Sequence, residues 1–331
     1  MKCASFFAGV GGIDLGFDQA DFETIYANEK DSFAVETLKA NFDFIVDHRD
    51  INDVQASEIP DFDIMLAGFP CQAFSVAGYR QGFDDQKGRG NLYFELERIF
   101  NEKKPAVIFL ENVKNLVGHD QGNTFKTILE SLQQHGYHVK YKVLNACEYG
   151  NISQNRERIY IVCFKSITAY ERFNFPTAIP LQTSISDLLE EEHLIDKKYF
   201  YTAKTPFFNQ LVDEIKDAKT LYQWRRQYVR ANKSNVCPTL TANMGTGGHN
   251  VPLLNVQGHA NTIRKLTPRE CFNFQGFPKN FKLPEKTSNA NLYKQAGNSV
   301  VVPVIARIAL EIKKALAIKK TVVDDRQITL L

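Results

Sequence analysis

Short, nearly continuous apolar runs alternate with amphipathic segments along the first half of the chain. The runs are typical of strands buried on both faces, and segments 92–101 and 124–135 carry apolar residues at the spacing of a helix face. Gly136 is well placed to end the second helix. This alternation predicts βαβ units and an α/β fold with a doubly wound, mostly parallel sheet. We expect its strands at 2–7, 23–28, 62–67, 106–110, 139–144 and 159–164.

The pattern changes after about residue 171. Prolines interrupt the following region, and the glycine-rich stretch 245–248 predicts a loop. We therefore expect a second, smaller lobe that is irregular or β-rich. The amphipathic segment 304–320 then predicts a helix that packs back on the first lobe. Because no apolar run is long enough to span a membrane and the N-terminus lacks the features of a signal peptide, we expect a cytoplasmic protein.

The overall composition says little about function, but the distribution of charge along the chain says more. The 331 residues are 44% hydrophobic and 24% charged, as in an ordinary soluble globular protein. The six cysteines include no C-x-x-C pair and fit neither a disulfide framework nor a zinc site, so no metal is expected. Net charge is only +2, yet residues 219–269 contain eight Lys and Arg and no Asp or Glu. Such a basic region is typical of a nucleic-acid-binding surface.

A glycine-rich turn, Ala8-Gly9-Val10-Gly11-Gly12, follows the first predicted strand. Glycines at this place let the backbone approach a ligand closely. A dinucleotide-binding fingerprint would need a further glycine where Asp14 stands, so the motif favours a nucleoside that bears a carboxylate over a pyrophosphate cofactor. Glu29, at the end of the second strand, could accept hydrogen bonds from ribose hydroxyls, and Asp50 could reach an adenine amino group. Both acids could also be plain solvated residues, but with the turn they suggest an adenosine-type cofactor such as S-adenosylmethionine.

Two chemically active residues follow neighbouring strands. Cys71 comes after strand 62–67, and Glu111 comes after strand 106–110. Because ligands bind beyond the carboxyl ends of strands in an open α/β sheet, both side chains are expected to face one crevice. Arg156 and Arg158 would lie on the same side of an extended segment, which suits a phosphate or a planar base, although arginines at a sheet edge are also common without such a role.

Six motifs in this order resemble the cytosine-C5 DNA methyltransferases of bacterial restriction-modification systems. They are Phe7-Ala8-Gly9-Val10-Gly11-Gly12, Gly68-Phe69-Pro70-Cys71-Gln72, Glu111-Asn112-Val113, Gln154-Asn155-Arg156-Glu157-Arg158, Arg264-Lys265-Leu266-Thr267-Pro268-Arg269-Glu270 and Gly297-Asn298-Ser299-Val300. The resemblance covers most of the chain and implies the Rossmann-like fold of S-adenosylmethionine-dependent methyltransferases. It also implies a catalytic domain at 1–175 plus 296–331, a target-recognition domain at 176–262 and a linking segment at 263–295.

The resemblance assigns catalytic roles to four residues. Cys71 would be the nucleophile that adds to C6 of the target cytosine, and Glu111 would contact N3 and the exocyclic amine. Arg158 would support the carbonyl oxygen of the base, and Arg156 would help to position the base or an adjacent phosphate. The group that removes the C5 proton is left open, with water among the candidates.

The resemblance also implies the ligands. Bound S-adenosylmethionine, which leaves as S-adenosylhomocysteine, would contact Phe7, Gly9, Gly11, Gly12, Glu29, Asp50, Ile51, Pro70, Asn298 and Ser299. Double-stranded DNA would contact Gln72, Ser75 and Arg80 in a closing loop, and Arg225, Arg226, Arg230 and Thr239 in the recognition lobe. We expect a monomer that flips its target base, with a cognate restriction endonuclease allowed as a separate protein.

Two alternatives remain open. A transfer-RNA cytosine-C5 methyltransferase is disfavoured because those enzymes typically have Pro-Pro-Cys-Gln where this chain has Phe69-Pro70-Cys71-Gln72, and because they lack the long basic lobe. A DNA-binding relative without catalysis is disfavoured because Cys71, Glu111, Arg156 and Arg158 are all present.

Overall fold

The computed structural model describes residues 1–70, 92–225, 227–232, 234–246, 250–255 and 262–317. Within these ranges the chain forms a seven-stranded and a four-stranded sheet. The larger sheet consists of β1 (Lys2–Phe6), β2 (Glu23–Asn28), β3 (Ile45–Asp47), β4 (Ile64–Ala67), β5 (Val107–Val113), β6 (His138–Asn145) and β7 (Glu157–Phe164).

The large sheet has the order β3-β2-β1-β4-β5-β7-β6. Strands β1 to β5 pair in parallel, and β7 runs antiparallel to both β5 and β6. The doubly wound, mostly parallel sheet predicted from the sequence is therefore confirmed, and β3 is a short additional strand. The chain leaves β1 toward β2 on one side and reaches β4 on the other, so the switch point where ligands bind in such folds lies between β1 and β4.

Helices cover both faces of this sheet. They are α1 (Gly12–Asp18), α2 (Ser32–Asn41), α3 (Leu92–Lys103), α4 (Asn123–Gln134), α5 (Ala146–Tyr149) and α6 (Ile167–Arg172). Successive strand residues enter different cores: Leu66 and Phe109 join one hydrophobic cluster, whereas Met65 and Ile108 join another. Burial on both faces explains why the strands are almost continuously apolar.

The second lobe contains α7 (Phe208–Glu214), β8 (Tyr222–Trp224), β9 (Val229–Ala231), β10 (Leu253–Asn255) and β11 (Ile263–Lys265). Its strands are antiparallel in the order β11-β10-β8-β9. The lobe has a small core of its own, in which the rings of Phe207 and Trp224 stack with centroids 4.6 Å apart. Strand β11 completes this sheet although it lies at the start of the segment predicted to link the lobes.

The C-terminal part of the chain returns to the large sheet. It contains α8 (Pro268–Asn273), α9 (Asn289–Asn298) and α10 (Val302–Leu316). Helix α10 packs on α1 so closely that a side chain at Gly16 would come within 2.6 Å of Ile305. The predicted return of the C-terminal helix is thus confirmed. None of the described helices is long and apolar enough to cross a membrane.

Candidate active site

The glycine-rich turn after β1 has a left-handed backbone at three positions. The φ angles are 53° at Phe7, 58° at Gly9 and 82° at Gly11. A side chain at Gly11 would come within 2.4 Å of the ring of Phe42, so both the backbone and the neighbouring packing require glycine there. The turn is held to β2 because the Gly9 N–H donates to a Glu29 oxygen at 2.8 Å.

A partly open cavity lies at the switch point between β1 and β4. Six of the residues predicted to bind the cofactor line it: Phe7, Gly9, Gly12, Glu29, Asn298 and Ser299. The catalytic candidate Glu111 lines it as well, together with Ala8, Val10, Ile13, Asp31, Ala34, Gly68, Lys294, Gln295 and Val300. The structure therefore brings the first and last motifs of the chain into one wall.

Four predicted cofactor residues lie outside this lining: Gly11, Asp50, Ile51 and Pro70. Asp50 caps a short helical turn through Asn52 N–H and pairs with Lys30 at 3.2 Å. Ile51 is buried in the hydrophobic core. Asp50 is thus engaged by Asn52 and Lys30, and its role toward a cofactor stays a prediction.

Glu111 lies at the carboxyl end of β5, beside the segment that follows β4. Its carboxylate is 3.6 Å from the position that a side chain at Gly68 would occupy, and it forms an ion pair with Arg158 at 3.1 Å. Antiparallel pairing of β5 with β7 sets Glu111 opposite Tyr160 and Val113 opposite Arg158, so Glu111 and Arg158 are diagonal neighbours on one face of the sheet. Burial raises the pKa of Glu111 above its usual value, although the positive charges of Arg158 and Arg156 oppose this effect.

Arg156 differs from its sequence-based prediction. Its guanidinium is 3% exposed and donates to three backbone carbonyls, those of Leu240, Gly297 and Ser299. The distance to Leu240 O is 2.6 Å and the distance to Gly297 O is 3.2 Å. Both terminal nitrogens are thus engaged between the two lobes, so the geometry favours a positioning role over contact with the base or a phosphate. Arg158, by contrast, pairs with Glu111, and Glu111 lines the cavity.

The predicted DNA-binding residues are only partly described. Cys71, Gln72, Ser75, Arg80 and Arg226 lie outside the described residues. In the β8–β9 hairpin, Arg225 and Arg230 are exposed, and both donate to the Gln223 side chain, at 3.0 and 2.9 Å. The Thr239 hydroxyl donates to Asn155 O at 2.6 Å and so joins the second lobe to the first.

Sequence reasoning missed three residues of the site. Lys294 and Gln295 line the cavity, and Lys294 pairs with Asp31 at 2.6 Å. Asp14 was noted only as a departure from a glycine motif, but it is a buried acceptor beneath the turn. The position of Lys294 and Gln295 just before Gly297-Asn298-Ser299 was the available signal. In the described part of the chain, no group of three or more His, Cys, Asp or Glu side chains is arranged to hold a metal ion.

Solved structures share this fold at low sequence identity. The Dnmt2 methyltransferase of S. pombe matches with a TM-score of 0.73 and 19% identity, covering 96% of this chain and 100% of its own. A Spodoptera frugiperda DNMT2 mutant matches with a TM-score of 0.72 and 19% identity, covering 94% and 99%. At this identity the likeness concerns the fold alone.

Relatives found by sequence share a much higher identity with the chain than these solved structures do. The chain is 58% identical to the Type II methyltransferase M.Bsp6I of Bacillus sp. (strain RFL6), over 96% of this chain and 99% of the relative. It is 40% identical to the Type II methyltransferase M.HhaI of Haemophilus parahaemolyticus, over 96% of each. Residues 1–314 match the family model described as C-5 cytosine-specific DNA methylase. The family model and these relatives, which agree with the motifs around the cavity, show that the chain belongs to the C-5 cytosine-specific DNA methylase family.

Proposed function

We propose that this cytosine-C5 DNA methyltransferase uses S-adenosylmethionine to methylate a cytosine flipped out of a short specific sequence in duplex DNA. The observation that carries the proposal is the Glu111–Arg158 ion pair in the wall of the cavity. Strand β4 leads into Gly68, which lies beside Glu111, and Phe69-Pro70-Cys71 follow in the sequence. The reacting atoms of a stacked, paired cytosine cannot reach such a crevice, so the base must leave the helix.

The residues divide the reaction between them. C5 of cytosine is a poor nucleophile, so the Cys71 thiolate first adds to C6 while the Glu111 carboxyl donates a proton toward N3, which makes C5 enamine-like. A raised pKa suits Glu111 to this task because its protonated form is the donor. After methylation, loss of the C5 proton to a base expels the thiolate and restores the aromatic ring. Arg158 holds Glu111 in place and supports the carbonyl oxygen of the base.

The residues of the cavity fit an adenosine-type group. Phe7 and the glycine-rich turn line the cavity, and Glu29 offers a carboxylate to ribose hydroxyls. When bound, S-adenosylmethionine supplies the activated methyl group. The chain itself must hold this group next to Glu111, which lines the same cavity.

Duplex DNA is the substrate that the second lobe supports. Exposed Arg225 and Arg230 lie on one hairpin and could contact phosphates or guanine edges. The catalytic and recognition lobes meet at Thr239 and Asn155, so a sequence bound by one lobe would be presented to the other. A methyltransferase of this kind would protect host DNA in a restriction-modification system, with a cognate endonuclease as a separate protein.

A transfer assay with radiolabelled methyl groups tests this function. Duplex DNA and transfer RNA are offered side by side to the wild-type protein, Cys71→Ser and Cys147→Ser. We expect labelled DNA with wild type and Cys147→Ser, and no labelling with Cys71→Ser, whose DNA binding is retained in a filter-binding assay. Labelling of RNA alone would contradict the choice of substrate, and full activity of Cys71→Ser would contradict the nucleophile.

A second experiment tests the covalent step and the target. Duplex DNA with 5-fluorocytosine at the target position should trap the protein, because fluorine cannot leave C5 as a proton does. Bisulfite sequencing of a plasmid expressed with the protein identifies that position beforehand. A stable protein–DNA adduct is expected for wild type and absent for Cys71→Ser; release of unmodified protein from the methylated fluorinated duplex would rule out the adduct.

A further inference from the structure

The β8–β9 hairpin places a buried glutamine beneath two exposed arginines. Gln223 and Arg230 lie directly opposite each other in the antiparallel pair, so their side chains leave the same face of the hairpin. Tyr222 and Trp224, on either side of Gln223, leave the other face and enter the small core of the lobe. Gln223 is 7% exposed, whereas Arg225 and Arg230 are exposed. The two arginines therefore lie over the glutamine at the surface of the lobe.

One amide oxygen holds both guanidinium groups. A terminal nitrogen of Arg225 donates to Gln223 Oε1 at 3.0 Å, and a terminal nitrogen of Arg230 donates to the same atom at 2.9 Å. Because arginine only donates hydrogen bonds, the amide must turn its oxygen, and not its nitrogen, toward both of them. Each guanidinium gives up one N–H group in this contact, so further N–H groups remain for a ligand.

The cluster carries positive charge and no negative charge. Residues 219–269 contain no Asp or Glu, and neither arginine pairs with a carboxylate in the described part of the chain. Like charges repel each other, so holding two of them on one neutral acceptor is unfavourable until an electron-rich group arrives. The cluster is therefore suited to a ligand whose contacting edge consists of hydrogen-bond acceptors.

Guanine and phosphate both offer such acceptors in DNA, and the geometry favours guanine. The major groove admits a two-stranded β-ribbon, and guanine presents O6 and N7 there side by side, which matches the planar fork of arginine. A phosphate contact positions the protein without reading sequence and needs charge more than a fixed direction. Here a buried amide fixes the direction of two guanidinium groups before DNA binds. Such fixed donors suit the reading of a base edge.

We propose that Gln223 is a positioning residue for specificity, which holds Arg225 and Arg230 so that they read guanine in the major groove of the target sequence. This inference rests on the proposed function, which supplies duplex DNA as the substrate. Gln223 acts through the arginines that lie over it, and it belongs to none of the six sequence motifs. The recognition sequence should therefore contain guanine close to the methylated cytosine.

Fluorescence anisotropy with the full chain tests this role. Each variant is titrated with a duplex that carries the target, identified by bisulfite sequencing, and with a scrambled duplex, over a range of salt concentrations. We expect Gln223→Leu to lower the preference for the target about 10- to 100-fold, because the arginines lose their orientation. The salt dependence should stay as in wild type, because both charges remain. Gln134→Leu, exposed on α4, is the matched control and should keep the wild-type preference.

Gln223→Glu separates positioning from a merely structural role. A carboxylate keeps an acceptor under both arginines, so the preference for the target should stay close to that of wild type. Affinity for both duplexes should fall, because the added negative charge offsets one positive charge. Loss of preference in Gln223→Glu as well as in Gln223→Leu would indicate a structural residue and overturn the proposal. An equal loss of affinity for both duplexes in Gln223→Leu, without a change of preference, would assign the arginines to phosphates and also overturn it.

Base analogues test the contact with guanine itself. Each guanine of the target is replaced in turn by 7-deazaguanine, which lacks N7, and by inosine, which keeps O6 and N7 and lacks only the amino group in the minor groove. We expect 7-deazaguanine at one or more positions to weaken binding by wild type but not by Gln223→Leu, and inosine at those positions to be tolerated by both.

The same measurements separate this inference from the function on which it rests. If wild type prefers its target and 7-deazaguanine has no effect at any guanine, this inference fails while the proposed function stands. If wild type shows no preference for its target over the scrambled duplex, the sequence-specific recognition in the proposed function fails first.

Discussion

At the scale of single residues, two buried carboxyl groups near the glycine turn have different surroundings. Asp14 accepts hydrogen bonds from the hydroxyls of Ser5 at 3.1 Å and Thr24 at 3.2 Å. Burial raises the pKa of Asp14 to about 6. Glu111 instead faces Arg158 and the cavity. Burial raises the pKa of both groups, but only Glu111 lines the cavity, so Asp14 contributes to the pH dependence of folding whereas Glu111 is placed for proton transfer.

Asp14→Asn should change how stability depends on pH. A carboxyl group whose pKa is raised by folding stabilises the protein when protonated, and this contribution is lost as pH rises from about 4 to about 6. The cost above pH 6 is on the order of 3 kcal/mol. We expect Asp14→Asn, which cannot ionise, to unfold at higher urea concentration than wild type at pH 8 and at a similar concentration near pH 4. An equal difference at both pH values would contradict the raised pKa.

Glu111→Gln should abolish most of the catalysis without loss of binding. The amide keeps the size of the side chain but cannot donate a carboxyl proton toward N3, so we expect the single-turnover rate of methyl transfer to fall by about 10²- to 10⁴-fold. Glu157→Gln is the matched control, because Glu157 precedes Arg158 but pairs with Lys114 at the surface. Retention of the full rate by Glu111→Gln would remove its catalytic role.

At the residue level, motifs pointed to residues that the structure brings together, whereas contacts that depend on tertiary packing left no such signal in the sequence. Glu111 and Arg158 were identified from their motifs, and the structure brings them into contact. The approach of Gln295 to Thr37 joins residues 258 positions apart in sequence and depends on how α9 packs on α2. Apart from their position just before Gly297-Asn298-Ser299, nothing local distinguishes Lys294 and Gln295 from ordinary polar positions on a helix.

At the scale of elements, the strands of the large sheet were predictable because burial on both faces leaves a continuous apolar signal. The four three-residue strands of the second sheet carry no such signal, and β11 lay in a predicted linking segment. Their positions depend on partners distant in sequence, such as Leu253 opposite both Tyr222 and Lys265. The existence of a second lobe could be predicted, but not its sheet.

Helix α9 connects the cofactor cavity to the recognition lobe through a close backbone contact. A side chain at Gly297 would lie 2.1 Å from the carbonyl carbon of Thr241 and 2.4 Å from the nitrogen of Ala242. Those residues directly follow Thr239 and Leu240, so the recognition segment rests on the helix that carries Lys294 and Gln295. The glycine of the last motif is therefore required by packing, and Asn298 and Ser299, which follow it, line the cavity.

Gly297→Ala should push helix α9 away from the backbone of Thr241 and Ala242. The added methyl group cannot be accommodated without backbone movement, so we expect a loss of about 1 to 3 kcal/mol in the free energy of unfolding and weaker binding of S-adenosylhomocysteine. Gly118→Ala is the control, because a side chain there meets nothing within 4 Å. Urea unfolding and calorimetry measure the two effects, and wild-type values for Gly297→Ala would show that α9 tolerates the shift.

At the scale of the whole molecule, residues 153–156 join the two lobes. The Cys237 N–H donates to Ser153 O at 2.7 Å, and the Asn155 N–H donates to Cys237 O at 2.8 Å. Burial, followed by the charge of Arg158, lowers the pKa of Arg156 to about 9, so its guanidinium still carries its charge at neutral pH. That charge is stabilised by backbone carbonyls of the second lobe and of the segment around the cavity, which makes Arg156 a physical link between the second lobe and the cavity.

Arg156→Lys should weaken this link. An ammonium group keeps the charge but is a single point, whereas the guanidinium spans the carbonyls of Leu240 and Ser299. Loss of charge-assisted hydrogen bonds in a buried site should lower the free energy of unfolding by about 3 kcal/mol. Arg172→Lys, at an exposed position, is the control and should change stability little.

The decisive measurement is the coupling between ligands. If the lobes communicate through Arg156, duplex DNA should change the affinity for S-adenosylhomocysteine in wild type, and by a smaller factor in Arg156→Lys. A contact with the flipped base, as the motif alone predicted, would give the opposite result: unchanged stability and coupling, with a slower methyl-transfer step. Because the guanidinium is buried and its terminal nitrogens are engaged by carbonyls, we expect stability and coupling to change together.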